Sequence, residues 1–224
     1  MPNPLHPYYS LLKACEPYHA RLLAVTKNRK EKEIQELYQM GQLDFGENRA
    51  QELVVKASLL PNDIRWHLIG HLQTNKVKHI LPYVFCIQSL DSQKLWRVID
   101  EEAKEQGLTI NCLVQIKVAA EDTKYGWDFD ELLTFLKNEE HLKYSNVRIT
   151  GVMGMASLTQ NQAQVRSEFK RLHQHFLQLR DQFFGNHEDF SILSMGMSGD
   201  YQIALEEGST MIRIGSLLFI SPGL

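Results

Sequence analysis

Short β-branched or apolar runs alternate along this chain with longer stretches whose apolar residues recur every three to four positions, the signature of repeated strand–helix units that build a parallel sheet. Eight runs read as strands: 22–27 (LLAVTK), 44–48 (DFGEN), 65–70 (RWHLIG), 84–90 (VFCIQSL), 110–118 (INCLVQIKV), 149–156 (ITGVMGMA), 190–197 (FSILSMGM) and 210–219 (TMIRIGSLLF). DFGEN has a poor strand composition and is supported mainly by its place in the alternation.

Between these runs the spacing is helical. Ile34, Leu37 and Tyr38 share a face before Gly41, and Leu95, Val98 and Ile99 follow an Asp91 cap and precede Gly107. A long helix over 161–184 sets Val165, Phe169, Leu172, Phe176, Leu179 and Phe183 on one stripe, which predicts packing on a sheet. Eight strands in 224 residues suit one closed (β/α)8 barrel domain spanning 1–224 better than an open doubly wound sheet, because few residues remain for a second domain. The sequence ends just after the eighth strand, so the usual closing helix is missing. An extra N-terminal helix within 7–20 is placed to cover that gap.

Charge and composition narrow the class. With 24 Lys and Arg against 27 Asp and Glu and no block of one sign, the electrostatic footprint of a nucleic-acid binder is missing. The N-terminus has no basic segment followed by an apolar run, and no stretch has the length and apolarity of a membrane span, so a soluble, cytoplasmic protein is expected; a monomer is taken as its state. Cys15, Cys86 and Cys112 are widely separated and form no CxxC pair, which predicts buried apolar residues rather than disulfides or a zinc site. No metal is expected.

In a barrel, chemistry gathers where strands end and βα loops begin. Alternation puts Leu23, Val25 and Lys27 on the inward face of the first strand, aiming an amine into the mouth, and a neutral amine condenses with aldehydes. Asn48 ends the second strand. It either caps the next helix, with Gln51 reaching back, or contacts a ligand. His67 in WHLIGHLQTNK shares a face with Ile69 and reads as a mouth residue or as a satisfied core histidine.

The last two strands end in SMGMSGD (194–200) and IRIGS (212–216), where many barrels bind phosphate. Gly196 and Gly199 permit close backbone approach, Ser198 supplies a hydroxyl, a helix starting here would aim N–H groups at an anion, and Gly215 and Ser216 do the same from the next strand. Arg213 shares its face with Gly215, points inward and needs a partner, either a carboxylate or the nitrogen of a heteroaromatic ring. An inward lysine, a phosphate cup and an inward cation together point to pyridoxal phosphate.

Taken together, LLAVTK, FGEN followed by AQE, WHLIGHLQTNK, the KYG at 124–126, GVMGM, SMGMSGD and STMIRIGS resemble the YggS/PROSC family of pyridoxal phosphate homeostasis proteins, in order and over nearly the whole chain. The resemblance implies a barrel like the N-terminal domain of alanine racemase, with pyridoxal 5'-phosphate held as a Schiff base on Lys27. It further implies that Ser198, Gly215 and Ser216 hold the phosphate and that Arg213 lies near the pyridine nitrogen; Asn48 and His67, from their places on the second and third strands, are taken as further candidates for the same cofactor site. Ile220 stands where the family usually has glycine, and Lys117 occupies a strand end that is often uncharged.

The function so implied is a cofactor carrier that buffers free pyridoxal phosphate and hands it to pyridoxal phosphate-dependent apoenzymes, without turnover. An arginine beside the ring nitrogen disfavours its protonation and weakens the ring as an electron sink. The rivals are an alanine racemase-type enzyme, which needs a second acid/base group that another domain commonly supplies, and a cofactor-free Schiff-base aldolase. Lys76 and Lys117 are the other lysines at which a modification would be sought.

Overall fold

The computed structural model describes residues 6–119, 125–185 and 189–219. Its eight strands are β1 (Arg21–Val25), β2 (Asp44–Glu47), β3 (Arg65–Leu68), β4 (Val84–Leu90), β5 (Ile110–Gln115), β6 (Val147–Met153), β7 (Ile192–Ser194) and β8 (Met211–Ile214). They pair in parallel and in chain order, and β8 returns to β1 to close the barrel. The helices are α1 (Pro7–Cys15), α2 (Glu31–Gln39), α3 (Ala50–Leu59), α4 (Val77–Ile80), α5 (Gln93–Glu105), α6 (Phe129–Lys137), α7 (Gln162–Leu179) and α8 (Tyr201–Glu206).

Every predicted strand is present, but several stop short of their predicted C-terminal ends. Ile116, Val118, Met195 and Leu218 lie past the ends of their strands yet remain buried, because they belong to the main hydrophobic core. Apolarity reports burial, and it does not say where pairing ends. The N-terminal helix also forms: the Nδ1 of His6 accepts the N–H of Tyr8 at 3.1 Å, Pro7 fills the first turn, and Tyr8, Leu11 and Cys15 are buried as α1 packs against β1.

Two helix details differ from the sequence reading. Ser92, not Asp91, caps α5, its Oγ accepting the N–H of Leu95 at 3.3 Å, while Asp91 pairs with His71 at 2.8 Å. On α7, Val165, Phe169, Leu172, Phe176 and Leu179 are buried as the stripe predicts, but the helix continues through a π-helical turn over Arg180–Phe184. The wider turn shifts the register by about one residue, so Phe184 takes the buried place and Phe183 does not.

The main core lies between barrel and helices, around Phe45, Trp96, Ile34 and Phe169. Inside the barrel, Cys86, Leu113 and Met153 form a separate small cluster, and polar side chains fill much of the remaining interior. Gly70, just past β3, is required by close approach, since a Cβ there would fall 2.2 Å from the Asn48 carbonyl oxygen. That contact brings the ends of β2 and β3 together at the mouth.

Candidate functional site

The C-terminal mouth of the barrel opens into a cavity of about 410 Å³, within the roughly 300–1,000 Å³ of small-molecule sites. Val25 and Lys27 line it from the end of β1, Asn48 from β2, Ile69 from β3, and Met155 from β6. Met197, Ser198 and Gly199 come from the loop after β7, and Arg213, Gly215 and Ser216 from β8 and the turn beyond. Six of the seven predicted site residues therefore meet in one cavity.

His67 is the seventh, and its placement corrects the reading. It is fully buried deeper in the barrel and does not line the cavity; its Nε2 faces Asp44 Oδ1 at 3.1 Å and its Nδ1 faces Gln88 Nε2 at 3.0 Å. Its parity in the strand was read correctly, but position 67 lies one inward layer below Ile69. Asn48 does not cap α3 either. The N-cap is Arg49, without a side-chain bond, so the apparent capping box leaves Asn48 on the cavity wall.

Lys27 stands two residues past β1, exposed at the rim, on a backbone clamped just before it. Thr26 gives its N–H to the Gly46 carbonyl at 2.9 Å and its hydroxyl to Glu47 Oε1 at 2.5 Å. Lys56 of α3 then donates to the Thr26 carbonyl at 2.8 Å and to Glu47 Oε1 at 2.6 Å. Glu47 is fully buried, and its Oε2 has no hydrogen-bond partner among the described residues. Burial raises its carboxyl pKa, against the lowering pull of Lys56 and Thr26. Glu47 lies within the DFGEN strand, but nothing in the sequence marks Lys56 as its partner.

On the opposite wall, Asp200 closes the loop after β7 by accepting the N–H of Met197 at 2.5 Å, and α8 begins directly beyond. Gly196 lies beneath, with φ of +94° and room for a Cβ denied by Ala204 at 2.5 Å. Its role is helix packing, not the close approach to an anion expected of it. Gly199 faces open space.

Arg213 is 3% exposed, and its Nη1 donates to Ser194 Oγ at 2.8 Å while Nη2 donates to the Gly154 carbonyl at 2.9 Å. Both acceptors are neutral, and no carboxylate forms an ion pair with Arg213 among the described residues. Burial pushes its pKa down to about 10, opposed by the field of Asp200, so it stays charged at neutral pH. Lys76 and Lys117 do not line the cavity, and Lys124 and Ile220 lie outside the described residues. Among the described residues, no group of His, Cys, Asp and Glu could hold a metal, and no helix is long and apolar enough to cross a membrane.

An amine on one rim, hydroxyls and loop backbone on the other, and a buried cation at the floor define a barrel that can take a small anionic carbonyl compound bearing an acceptor ring. The chain matches the family model for the alanine racemase N-terminal domain over residues 6–222, which sets its class. Relatives refine it. The pyridoxal phosphate homeostasis protein of Aquifex aeolicus is 36% identical over 217 residues, covering 92% of this chain and 91% of its own. That of Schizosaccharomyces pombe is 32% identical over 207 residues, covering 88% and 82%. PipY of Synechococcus elongatus, solved without PLP and with PLP bound, superposes with TM-scores of 0.88 and 0.85 at 34% identity over 96% of this chain and 98% of PipY. The chain belongs to the YggS/PROSC family of pyridoxal phosphate homeostasis proteins. A D-threonine aldolase from Filomicrobium marinum, at 13% identity and a TM-score of 0.76, shares the fold alone.

Proposed function

We propose that this chain holds pyridoxal 5'-phosphate in the mouth of its barrel, as a Schiff base on Lys27, and serves intracellular homeostasis of the cofactor without turning over a substrate. The observation that carries this reading is the meeting of Lys27, the Ser198–Ser216 rim and Arg213 in a single cavity. The residues fit the cofactor. Its aldehyde needs an accessible amine, which Lys27 offers, and its phosphate needs hydroxyl and backbone donors, which Ser198, Gly199, Gly215 and Ser216 offer with little side-chain bulk. Its ring nitrogen is an acceptor, and Arg213 is a donor-only group whose charge no carboxylate pairs among the described residues. Asn48 lines the wall beside Lys27.

Bound pyridoxal phosphate supplies an electron-withdrawing ring, and a guanidinium at its nitrogen keeps that nitrogen unprotonated and the withdrawal weak. Lys27 and Arg213 are the only titratable side chains among the described residues that line the cavity. A racemase needs an acid/base group on each face of the ligand, so a carrier fits this site better. The reading extends to a cytoplasmic monomer made of one barrel domain over residues 1–224, with pyridoxal phosphate-dependent apoenzymes as recipients.

The test is borohydride reduction of the protein incubated with pyridoxal phosphate, followed by peptide mapping. A visible band that reduction removes, with the label on Lys27 and none of this in Lys27→Ala, is the expected result. Label on Lys76 or Lys117, or loss of optical rotation from an L-amino acid at enzymatic rates, overturns the assignment or the non-enzymatic role respectively.

A further inference from the structure

A line of hydrogen bonds crosses the barrel interior from the cavity floor toward its far end. Arg213 Nη1 donates to Ser194 Oγ at 2.8 Å, and Ser194 donates to Gln88 Oε1 at 2.7 Å. Gln88 Nε2 meets His67 Nδ1 at 3.0 Å, His67 Nε2 meets Asp44 Oδ1 at 3.1 Å, and Arg65 grips Asp44 with two bonds of 2.8 and 2.6 Å. Four strand elements besides β8 contribute, and every group between the two arginines is buried.

The direction of each bond follows from the two ends. Arginine can only donate, so Ser194 must accept from Arg213 and spend its one proton on Gln88. That turns the amide oxygen of Gln88 toward Ser194 and its NH2 toward His67, whose Nδ1 therefore accepts and carries no proton. The His67 proton sits on Nε2 and goes to Asp44. Burial raises the Asp44 pKa, but the bonds from His67 and Arg65 outweigh it and hold that carboxyl well below the usual range, so it can only accept. Burial lowers the His67 pKa despite Asp44, which keeps the imidazole neutral.

The charges are then distributed unevenly. The one carboxylate of the line, Asp44, is taken up by Arg65 and stands three neutral residues away from Arg213. The line thus holds the Arg213 guanidinium rigidly without cancelling its charge. A packing role alone does not call for this, because apolar side chains such as Leu113 and Met153 fill the neighbouring part of the lumen, and burying polar groups carries a desolvation cost.

We propose that Ser194, Gln88 and His67 are positioning residues for the cofactor ring: they fix the Arg213 guanidinium, to which no carboxylate is bonded among the described residues, as a donor toward the ring nitrogen, and so set selectivity for a ligand that bears that nitrogen. The proposal rests on pyridoxal phosphate being bound at Lys27. None of the three residues touches the ligand cavity, and they act only through Arg213.

The experiment compares equilibrium dissociation constants, read from the visible band, for pyridoxal phosphate and its 1-deaza analogue, in which a ring CH replaces the nitrogen. Wild-type protein is expected to prefer pyridoxal phosphate by tenfold or more. Ser194→Ala removes the Nη1 acceptor, and Gln88→Leu removes both an acceptor for Ser194 and a donor to His67. Each variant is expected to bind pyridoxal phosphate about tenfold more weakly, or about 1.4 kcal/mol, with little change for the analogue, so that the preference collapses. Equal weakening for both ligands in the folded variants, or an unchanged preference, overturns the positioning role. Failure of the reading beneath it looks different: the wild-type protein itself then gives no band or carries the label away from Lys27.

Discussion

Replacing Lys56 by Met tests how the backbone that carries Lys27 is held. Met keeps the length and most of the apolar contact of the lysine stem, but it removes the donor to Glu47 Oε1 and to the Thr26 carbonyl. Breaking a buried ion pair typically costs about 3–5 kcal/mol, because the abandoned charge has no solvent to return to. Glu47 can instead take up a proton. That limits the charge cost to about 1.4 kcal/mol for each unit by which the pH exceeds the ordinary glutamate value near 4.3, so to about 4 kcal/mol at pH 7 and about 1 kcal/mol at pH 5. The lost bond to the Thr26 carbonyl adds about 1 kcal/mol at either pH.

The sign follows from linkage. Glu47 has a pKa raised by burial, so its folded form binds the proton more tightly than the unfolded chain, and stability falls as pH rises from the ordinary value through the folded one. Removing Lys56 raises the folded value further and steepens that fall. Urea unfolding of Lys56→Met against wild type is therefore expected to show a small deficit at pH 5 and one of about 3–5 kcal/mol at pH 7, a drop in Tm of roughly 6–20 °C. Adding Glu47→Gln should recover most of the pH 7 deficit. Equal losses at the two pH values, or no recovery in the double variant, would refute an uncompensated Glu47 charge as the cause.

Two further outcomes test the frame around the site. Gly196→Ala forces a Cβ into the positive-φ region and within 2.5 Å of Ala204, so it should destabilise by about 2 kcal/mol or more in urea unfolding, and a loss below about 1 kcal/mol would contradict the close packing of α8 on the turn that follows β7. His175 stacks on Phe129 at 3.6 Å, and burial, with Arg171 nearby, lowers its pKa to about 4. Its ring resonances should titrate below pH 5, and stability should fall as acidification passes the ordinary histidine value, since the unfolded chain takes up the proton first; titration near pH 6.5 would rule that environment out.

The barrel was legible in the sequence because its strands, even the poor DFGEN, recur at regular spacing and its helices carry clear stripes. Alternation within a strand was enough to turn Lys27 and Arg213 inward, and strand ends located the Ser198 and Ser216 rims. Depth was not legible. His67 has the same parity as Ile69, and only the three-dimensional layers show that it sits below the cavity. The partners Gln88, Ser194, Asp44 and Lys56 were missed because each is an ordinary polar residue in its own segment, and what defines it is a neighbour 9 to 106 positions away. The Asn48 capping box failed for a related reason: local spacing cannot tell a helix cap from a wall residue when Gly70 packs against the same backbone.

The two charged groups of the mouth are supported in opposite ways. Outside the barrel wall, Lys56 and Glu47 neutralise each other and secure only the backbone at Thr26, so the Lys27 side chain is left exposed and free to reach a carbonyl or to withdraw from it. Inside, the line from Ser194 to Asp44 secures the Arg213 side chain itself and leaves its charge standing. Under the proposed reading, an exposed amine suits a bond that must form and break, while a fixed cation suits recognition of a ring that is not itself transformed.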